Sequence, residues 1–356
     1  MHFPSSSCSS LPASLGLAAL GLVSLGLAAA PARAQTQDLF VSNAGNDTIS
    51  RFAGTGPGTF STAATTLSGG GLNTPNGLAF DAKGDLFAAN AGNSTITEFA
   101  STGAGTFGAG TVALTGGGLN APFGLAFDAF GDLFAANSGN SSITKFAAGA
   151  TPGTFGATSK LSAPSLNRPA GLAFDAFDDL FATNNGDSSI TEFASTGAGT
   201  FRAGTQFAKG GTLNAPFGLA FDAKGDLFVS NVDNSSITEF ASTGAGTFGA
   251  GTQFATGGTL NSPFGLTFDA FGDLFVLNSN GGSITEFAFT AGANGAAGTF
   301  GTGKTVATGL SGPSFLAFGP SAPPAVPEAS TTVSLGLLLA LGLGGTVMAA
   351  RKKRKA

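Results

Sequence analysis

One stretch, Pro122 to Ala147 (PFGLAFDAFGDLFAANSGNSSITKFA), recurs along the chain and restricts what it can fold into. Its opening proline returns at Pro75, Pro122, Pro169, Pro216 and Pro263, a step of 47 residues each time, with a looser copy at Pro313 after a step of 50. Its second half, Asp-Leu-Phe, begins at Asp38, Asp85, Asp132, Asp179, Asp226 and Asp273. A period of about 40–50 residues matches one four-stranded propeller blade. The two ends are out of phase: Asp38 has no Pro-Gly-Leu-Ala-Phe segment before it, and Pro313–Phe318 has no Asp-Leu-Phe after it. An open solenoid would leave both as half-repeats with bare strand edges. A ring joins them into one blade. The sequence therefore predicts an all-β, six-bladed propeller over residues 35–319, closed by pairing of the N- and C-terminal strands.

Within a blade, Gly124–Phe127 is a short apolar run and Asp128–Asp132 a turn with Asp and Gly at the turn positions. Leu133–Asn137 is a second run, so the two read as a hairpin. Ser142–Phe146 alternates polar and apolar, as a half-exposed third strand does. The outer strand is expected at Thr111–Leu114 in one blade and Thr205–Ala208 in another. Gly-Leu-Ala-Phe is expected to line a central channel, with blades stacking through Leu and Phe. The 35 Phe recur mostly at fixed repeat positions, which argues against low complexity despite 57 Gly. No helical period precedes the C-terminus.

The ends differ from the body. Residues 11–30 are apolar, and Ala32-Arg33-Ala34 follows in the pattern of a signal peptidase site, so residues 1–34 read as a signal peptide cut between Ala34 and Gln35. The only His (His2) and the only Cys (Cys8) lie in that segment. A mature chain would then lack both, excluding Ser-His and Cys-His nucleophile systems and His-based zinc sites. Of 15 Lys and Arg, Arg33 and the five in RKKRKA lie outside the body, leaving nine against 20 Asp and Glu, a net charge of −11. An acidic body is a poor partner for nucleic acid. Residues 320–330 are Pro-rich, and 331–350 are apolar and long enough to span a bilayer, with the basic 351–356 on the cytoplasmic side.

Val326-Pro327-Glu328, the apolar span and the basic cluster together resemble a PEP-CTERM sorting signal, with Ala329 where the second proline of that motif stands. The resemblance implies export in a Gram-negative bacterium, cleavage near Pro327-Glu328 by an exosortase-type enzyme, and delivery to the cell surface or exopolysaccharide matrix. The repeat itself resembles the NHL propellers over residues 38–318, through Pro-x-Gly-Leu-Ala-Phe-Asp-x-x-Gly-Asp-Leu-Phe and the following Asn-x-x-Asn. It departs from that family in Asn137 and Asn184, where Asp is common, and in Ser142 and Thr95, where Arg often stands. The basic faces of RNA-binding members are missing.

Several constellations could carry chemistry. Asp81/Asp85, Asp128/Asp132, Asp222/Asp226 and Asp269/Asp273 are paired carboxylates, but repetition on one turn points to turn structure. Asn43, Asn90, Asn137, Asn184, Asn231 and Asn278 form a ring, one per blade, as candidate ligand-binding amides. Amides suit sugar hydroxyls and can join a Ca²⁺ shell; Asn also caps turns. A second ring is Asn46, Asn93, Asn140, Asp187 and Asn234, and a third is Asn73, Asn120, Asn167, Asn214 and Asn261. Asp187 and Asp233 break the repeat on neighbouring blades and are the candidate cation ligands. The expected function is an exported binding or scaffold protein of the envelope that engages polysaccharide or an envelope protein, with no catalytic residues assigned and Ca²⁺ the one cofactor considered. The alternatives are a Ca²⁺-dependent hydrolase resembling propeller lactonases, and a structural envelope protein without a specific ligand.

Overall fold

The computed structural model describes residues 36–320 except 63, 104, 152 and 293–297. The expected signal-peptide cut at Ala34–Gln35, the motif Val326-Pro327-Glu328 and the apolar span 331–350 lie outside the described residues. The described chain is all β, in six four-stranded sheets. In the first complete blade the strands run Pro75–Phe80, Leu86–Asn90, Thr95–Phe99 and Thr111–Thr115, in that order from the axis outward. Neighbouring first strands pack on one another around a closed circle, so they are the innermost layer.

The ring closes as the phase of the repeats requires. Pro313–Phe318 pairs antiparallel with Leu39–Asn43, with Leu39 opposite Phe318 and Val41 opposite Leu316, and Thr48–Phe52 and Thr65–Ser68 complete that blade. Chain ends more than 270 residues apart thus share one sheet, and no inner edge is left unpaired.

Two features were not apparent in the repeat. The Gly/Thr-rich stretch between third and fourth strands is not plain loop. In most blades it forms a small two-stranded hairpin, such as Ser195–Gly197 with Thr200–Phe201. Its Phe crosses to the preceding blade. Phe201 meets Phe134 edge-on at 5.5 Å, Phe248 meets Phe181 at 5.7 Å, and Phe60 of the closing blade meets Phe275 at 5.4 Å. Each second-strand Phe also takes the first-strand Phe of the next blade, as Phe134 takes Phe174 at 5.2 Å. A three-phenyl seam therefore repeats around the ring. Each such ring pair contributes about 0.5–1.5 kcal/mol beyond the area it buries.

The second feature is the inner-strand glycine. A Cβ on Gly124 would run into the carbonyl of Ala170 on the next blade, and one on Gly171 into that of Phe217. Five of the six inner strands carry this glycine, and at those positions only a residue without a side chain allows so close an approach.

Candidate functional site

The loops on one face join second to third strands and lead into each opening proline. Here the first Asn ring lies inside the blades. Asn90, Asn137, Asn184, Asn231 and Asn278 are fully buried and Asn43 nearly so. Asn184 shows why. Its Nδ2 donates to Ser189 Oγ at 3.1 Å and Thr191 Oγ1 at 2.9 Å, and its Oδ1 accepts the Asn167 N–H at 3.1 Å. Asn231 repeats the pattern with Ser236, Thr238 and the Asn214 N–H. These amides tie the third strand and the opening loop to the second strand, and their polar atoms are spent inside the blade. The expectation that Asn43, Asn90, Asn137, Asn184, Asn231 and Asn278 present a ligand surface is corrected accordingly. Of the six, Asn43 alone leaves its Oδ1 buried without a partner.

The amides that reach solvent belong to the third ring: Asn73, Asn120, Asn167, Asn214 and Asn261 are exposed. Between blades this face is stitched by the last residue of the second-to-third-strand loop in five blades, the sixth having Gly282 there. Ser188 Oγ accepts the Ala215 N–H at 3.0 Å, and Asp47 Oδ1 accepts the Thr74 N–H at 2.6 Å.

The two candidate cation ligands are not assembled into a metal centre. Asp187 Oδ2 pairs with Lys209 Nζ at 2.8 Å and its Oδ1 accepts the Ser189 hydroxyl at 2.6 Å, while Asp233 is exposed. Among the described residues no three Asp, Glu, His or Cys side chains converge as metal ligands would.

The opposite face carries the paired carboxylates, and they are structural. Asp175 Oδ1 accepts the N–H groups of Phe177 and Asp179, closing the turn, and Asp179 Oδ1 accepts the Ser195 N–H at 2.6 Å, holding the hairpin. Beside each pair the third strand supplies one further charged residue. In the Pro122 blade this is Lys145, whose Nζ pairs with Asp132 Oδ2 at 2.5 Å and donates to Gly199 O of the next blade at 2.6 Å. In the closing blade Arg51 pairs with Asp38 at 2.6 Å. In the remaining blades the position is Glu98, Glu192, Glu239 and Glu286. Burial pushes each of these carboxyls above its ordinary value, and the neighbouring Asp pair pushes the same way. Burial also raises Asp128, Asp175, Asp222 and Asp269.

The residues that break the repeat most sharply stand on the axis. Directly after the opening proline come Asn76, Phe123, Ala170, Phe217, Phe264 and Ser314, and Phe315 replaces the inner glycine of the closing blade. Phe217 stacks on Phe264 at 4.2 Å and meets Phe123 at 5.6 Å and Phe315 at 5.5 Å. Phe123 and Phe315 each lie two blades from Phe217, so these rings converge across the axis. The expected central channel is occupied by phenyl rings at the amide-bearing end. Phe217 is buried, while Phe123, Phe264 and Phe315 keep partial exposure. Asn76, Ala170 and Ser314 make the remaining arc.

Hydroxyls in the second strands hold this cluster. Thr183 Oγ1 accepts the Gly171 N–H at 2.8 Å and donates to Phe217 O at 2.6 Å, bridging two blades. Ser230 Oγ accepts the Gly218 N–H at 2.9 Å and donates to Phe264 O. The other blades have Ala89, Ala136 and Leu277 there, except Ser42, which bonds Phe315 N at 3.0 Å. Sequence reading did not single out this site. The available signal was variability: the residue after the proline changes from blade to blade while its neighbours repeat.

These features define a six-bladed β-propeller with an aromatic axial plug on an amide-bearing face. No protein-family model matches the chain, and no curated protein matches it either. Solved structures share the fold. A catalytically inactive histidine-to-alanine form of virginiamycin B lyase from Staphylococcus aureus, with quinupristin, is 14% identical, with a TM-score of 0.50 over 75% of this chain and 84% of that one. A candidate 6-phosphogluconolactonase from Bacteroides fragilis is 18% identical, with a TM-score of 0.55 over 79% and 83%. A functionally unknown protein from Desulfotomaculum acetoxidans is 15% identical, with a TM-score of 0.53 over 75% and 80%. At these identities the likeness is one of fold.

Proposed function

We propose that this chain is an exported, envelope-directed propeller of NHL-like repeats that binds a matrix polysaccharide across the mouth of its axis. The observation that supports this is the axial cluster. Phe123, Phe264 and Phe315 offer partly exposed apolar ring surface at the mouth of the axis, and Asn120, Asn167, Asn214 and Asn261 are exposed on the same face. A sugar ring presents an apolar C–H face and a rim of hydroxyls, and aromatic rings beside amides complement both. The leader at residues 1–34 and the PEP-CTERM-like tail support export and surface delivery, with signal peptidase and an exosortase-type enzyme as processing partners. Presentation of many copies at the surface would multiply weak individual contacts.

The test is a glycan array followed by calorimetric titration of the best hit, comparing wild type with Phe264→Ala and with Asn120→Ala plus Asn167→Ala. Binding lost in these variants at unchanged melting temperature supports the reading. A flat array counts against it.

A hydrolase reading stands second, supported by the fold shared with a candidate lactonase. The lyase comparison gives it less support. That enzyme is inactive when one histidine becomes alanine, and this chain has one His, His2, in the leader. Turnover on a panel of lactones with and without Ca²⁺ separates this reading from the first.

A further inference from the structure

The turns between first and second strands all open on the face opposite the amides, one per blade. Their tips are Lys83, Phe130, Phe177, Lys224 and Phe271. Phe130, Phe177 and Phe271 are 50%, 54% and 39% exposed, three of the four large apolar side chains that reach solvent among the described residues. No blade-stacking role accounts for them, since the seams are filled by other phenyl groups. The sixth turn position is not a turn at all. In the closing blade the chain both enters and leaves there: Gly319 N–H donates to Asp38 O at 2.8 Å. Pro320 then lies beside the turn glycine Gly84, its Cγ 3.1 Å from where a Cβ would sit. The exit of the C-terminal segment thus belongs to the same ring as the exposed phenyls.

From that exit, ten residues (321–330) lead to the apolar span 331–350. Fully extended, they reach at most about 35 Å. We infer that in the tail-bearing form this face lies against the bilayer, with Phe130, Phe177 and Phe271 entering the interfacial region of a zwitterionic lipid surface. This rests on the proposed export and on the expectation that residues 331–350 span a bilayer before the tail is removed. Exposed aromatic rings partition into that region. Lys83 and Lys224 occupy the same turn position, where Lys83 Nζ pairs with Asp85 at 2.8 Å and Lys224 Nζ lies 5.6 Å from the Phe289 ring centroid. The turn carboxylates Asp81, Asp128, Asp175, Asp222 and Asp269 are engaged by their own turn N–H groups. The abundance of acids on this face favours zwitterionic over anionic lipid. The amide face would then point away from the membrane, toward the matrix.

The chain has no Trp, so single reporters are unambiguous. The full chain carrying Phe130→Trp, Phe177→Trp or Phe271→Trp is reconstituted into phosphatidylcholine vesicles, with Val112→Trp on an outer strand as the control. Folding of each variant is checked by thermal melt. The inference expects blue-shifted emission, quenched by dibrominated phosphatidylcholine, at the three turn positions and not at 112. Protein that floats with vesicles but shows no turn-specific quenching overturns the docking while leaving the anchor intact. Protein that fails to float with vesicles overturns the anchor, and the docking with it. Cross-linking between copies at residue 177 without quenching assigns the face to a second copy instead, and also overturns the inference.

Discussion

Replacing Asn184 with Ala separates a structural amide ring from a ligand-binding one. The side chain makes three hydrogen bonds, to Ser189, Thr191 and the Asn167 N–H, with none of it open to solvent. At about 1 kcal/mol net per bond, and more where a partner is left unpaired, the variant should lose roughly 3–4 kcal/mol of stability. For a domain of this size that is a fall in melting temperature of about 6–10 °C. The molecule supplies its own control. Asn43 holds the same place in the closing blade, but its Oδ1 has no partner. Asn43→Ala should therefore cost about 1 kcal/mol less. Urea denaturation of both variants beside wild type reads the two values. A loss below about 0.5 kcal/mol for Asn184→Ala, the range of ordinary surface substitutions, would refute the reasoning. So would equal losses in the two variants. A binding defect in Asn137→Ala or Asn184→Ala would for the same reason report damage to the blade rather than lost contact with a ligand.

Four further outcomes are expected. Glu192 binds its proton more tightly folded than unfolded, so stability should fall as pH climbs from the ordinary glutamate value of 4.5 through its raised folded value; Glu192→Gln should flatten that slope in melts taken from pH 4 to 7. Glu192→Lys should copy the Lys145 arrangement against Asp179 and raise stability by about 0.5–1 kcal/mol at neutral pH, read by urea midpoint. With Asp187 taken up by Lys209, melting temperatures in chelator and in Ca²⁺ should coincide, and a rise of several degrees in Ca²⁺ would turn attention to the hydrolase reading. Removing residues 312–356 should bare the edge of Leu39–Asn43 and yield aggregated rather than monomeric protein by size exclusion.

The ring was legible because its cause is arithmetic. A period of 47 fixes the blade, and two orphan half-repeats fix the closure. Strand order and the outer strands at Thr111 and Thr205 also followed from local pattern. What pattern could not convey was depth. Asn184 and Asn167 look alike in sequence, both beside turns on one face, yet one is sealed beneath the third strand and the other is exposed. The difference lies in register: Asn184 faces Ser189 across the hairpin, so its amide points at hydroxyls of its own blade. The hairpin at Ser195–Phe201 was hidden for another reason. Its Gly and Ala carry little strand preference, and the fold is imposed by Phe201 reaching Phe134 on the adjacent blade.

In a ring of near-copies, a residue that repeats is explained by the blade it builds, so chemistry specific to this chain must reside where symmetry fails. Apart from the turn tips, it fails in three places. At the second-to-third-strand loops Asp187 differs from its Asn counterparts, but Lys209 neutralises it. At the seams Lys145 and Arg51 replace Glu, and each is neutralised within its own blade, Lys145 by Asp132 and Arg51 by Asp38. On the axis the departures reinforce one another. Four phenyl groups gather from the Pro122, Pro216, Pro263 and closing blades. Thr183 and Ser230 appear in the two blades where their hydroxyls can hold the carbonyls of Phe217 and Phe264. Drift at single positions would not place hydroxyls and rings in matching blades. If Thr183 and Ser230 serve the axial cluster, Thr183→Val should loosen Phe217 and weaken binding more than it lowers melting temperature. If they serve only blade packing, binding and stability should fall together, and the axis would lose its claim to be the ligand site.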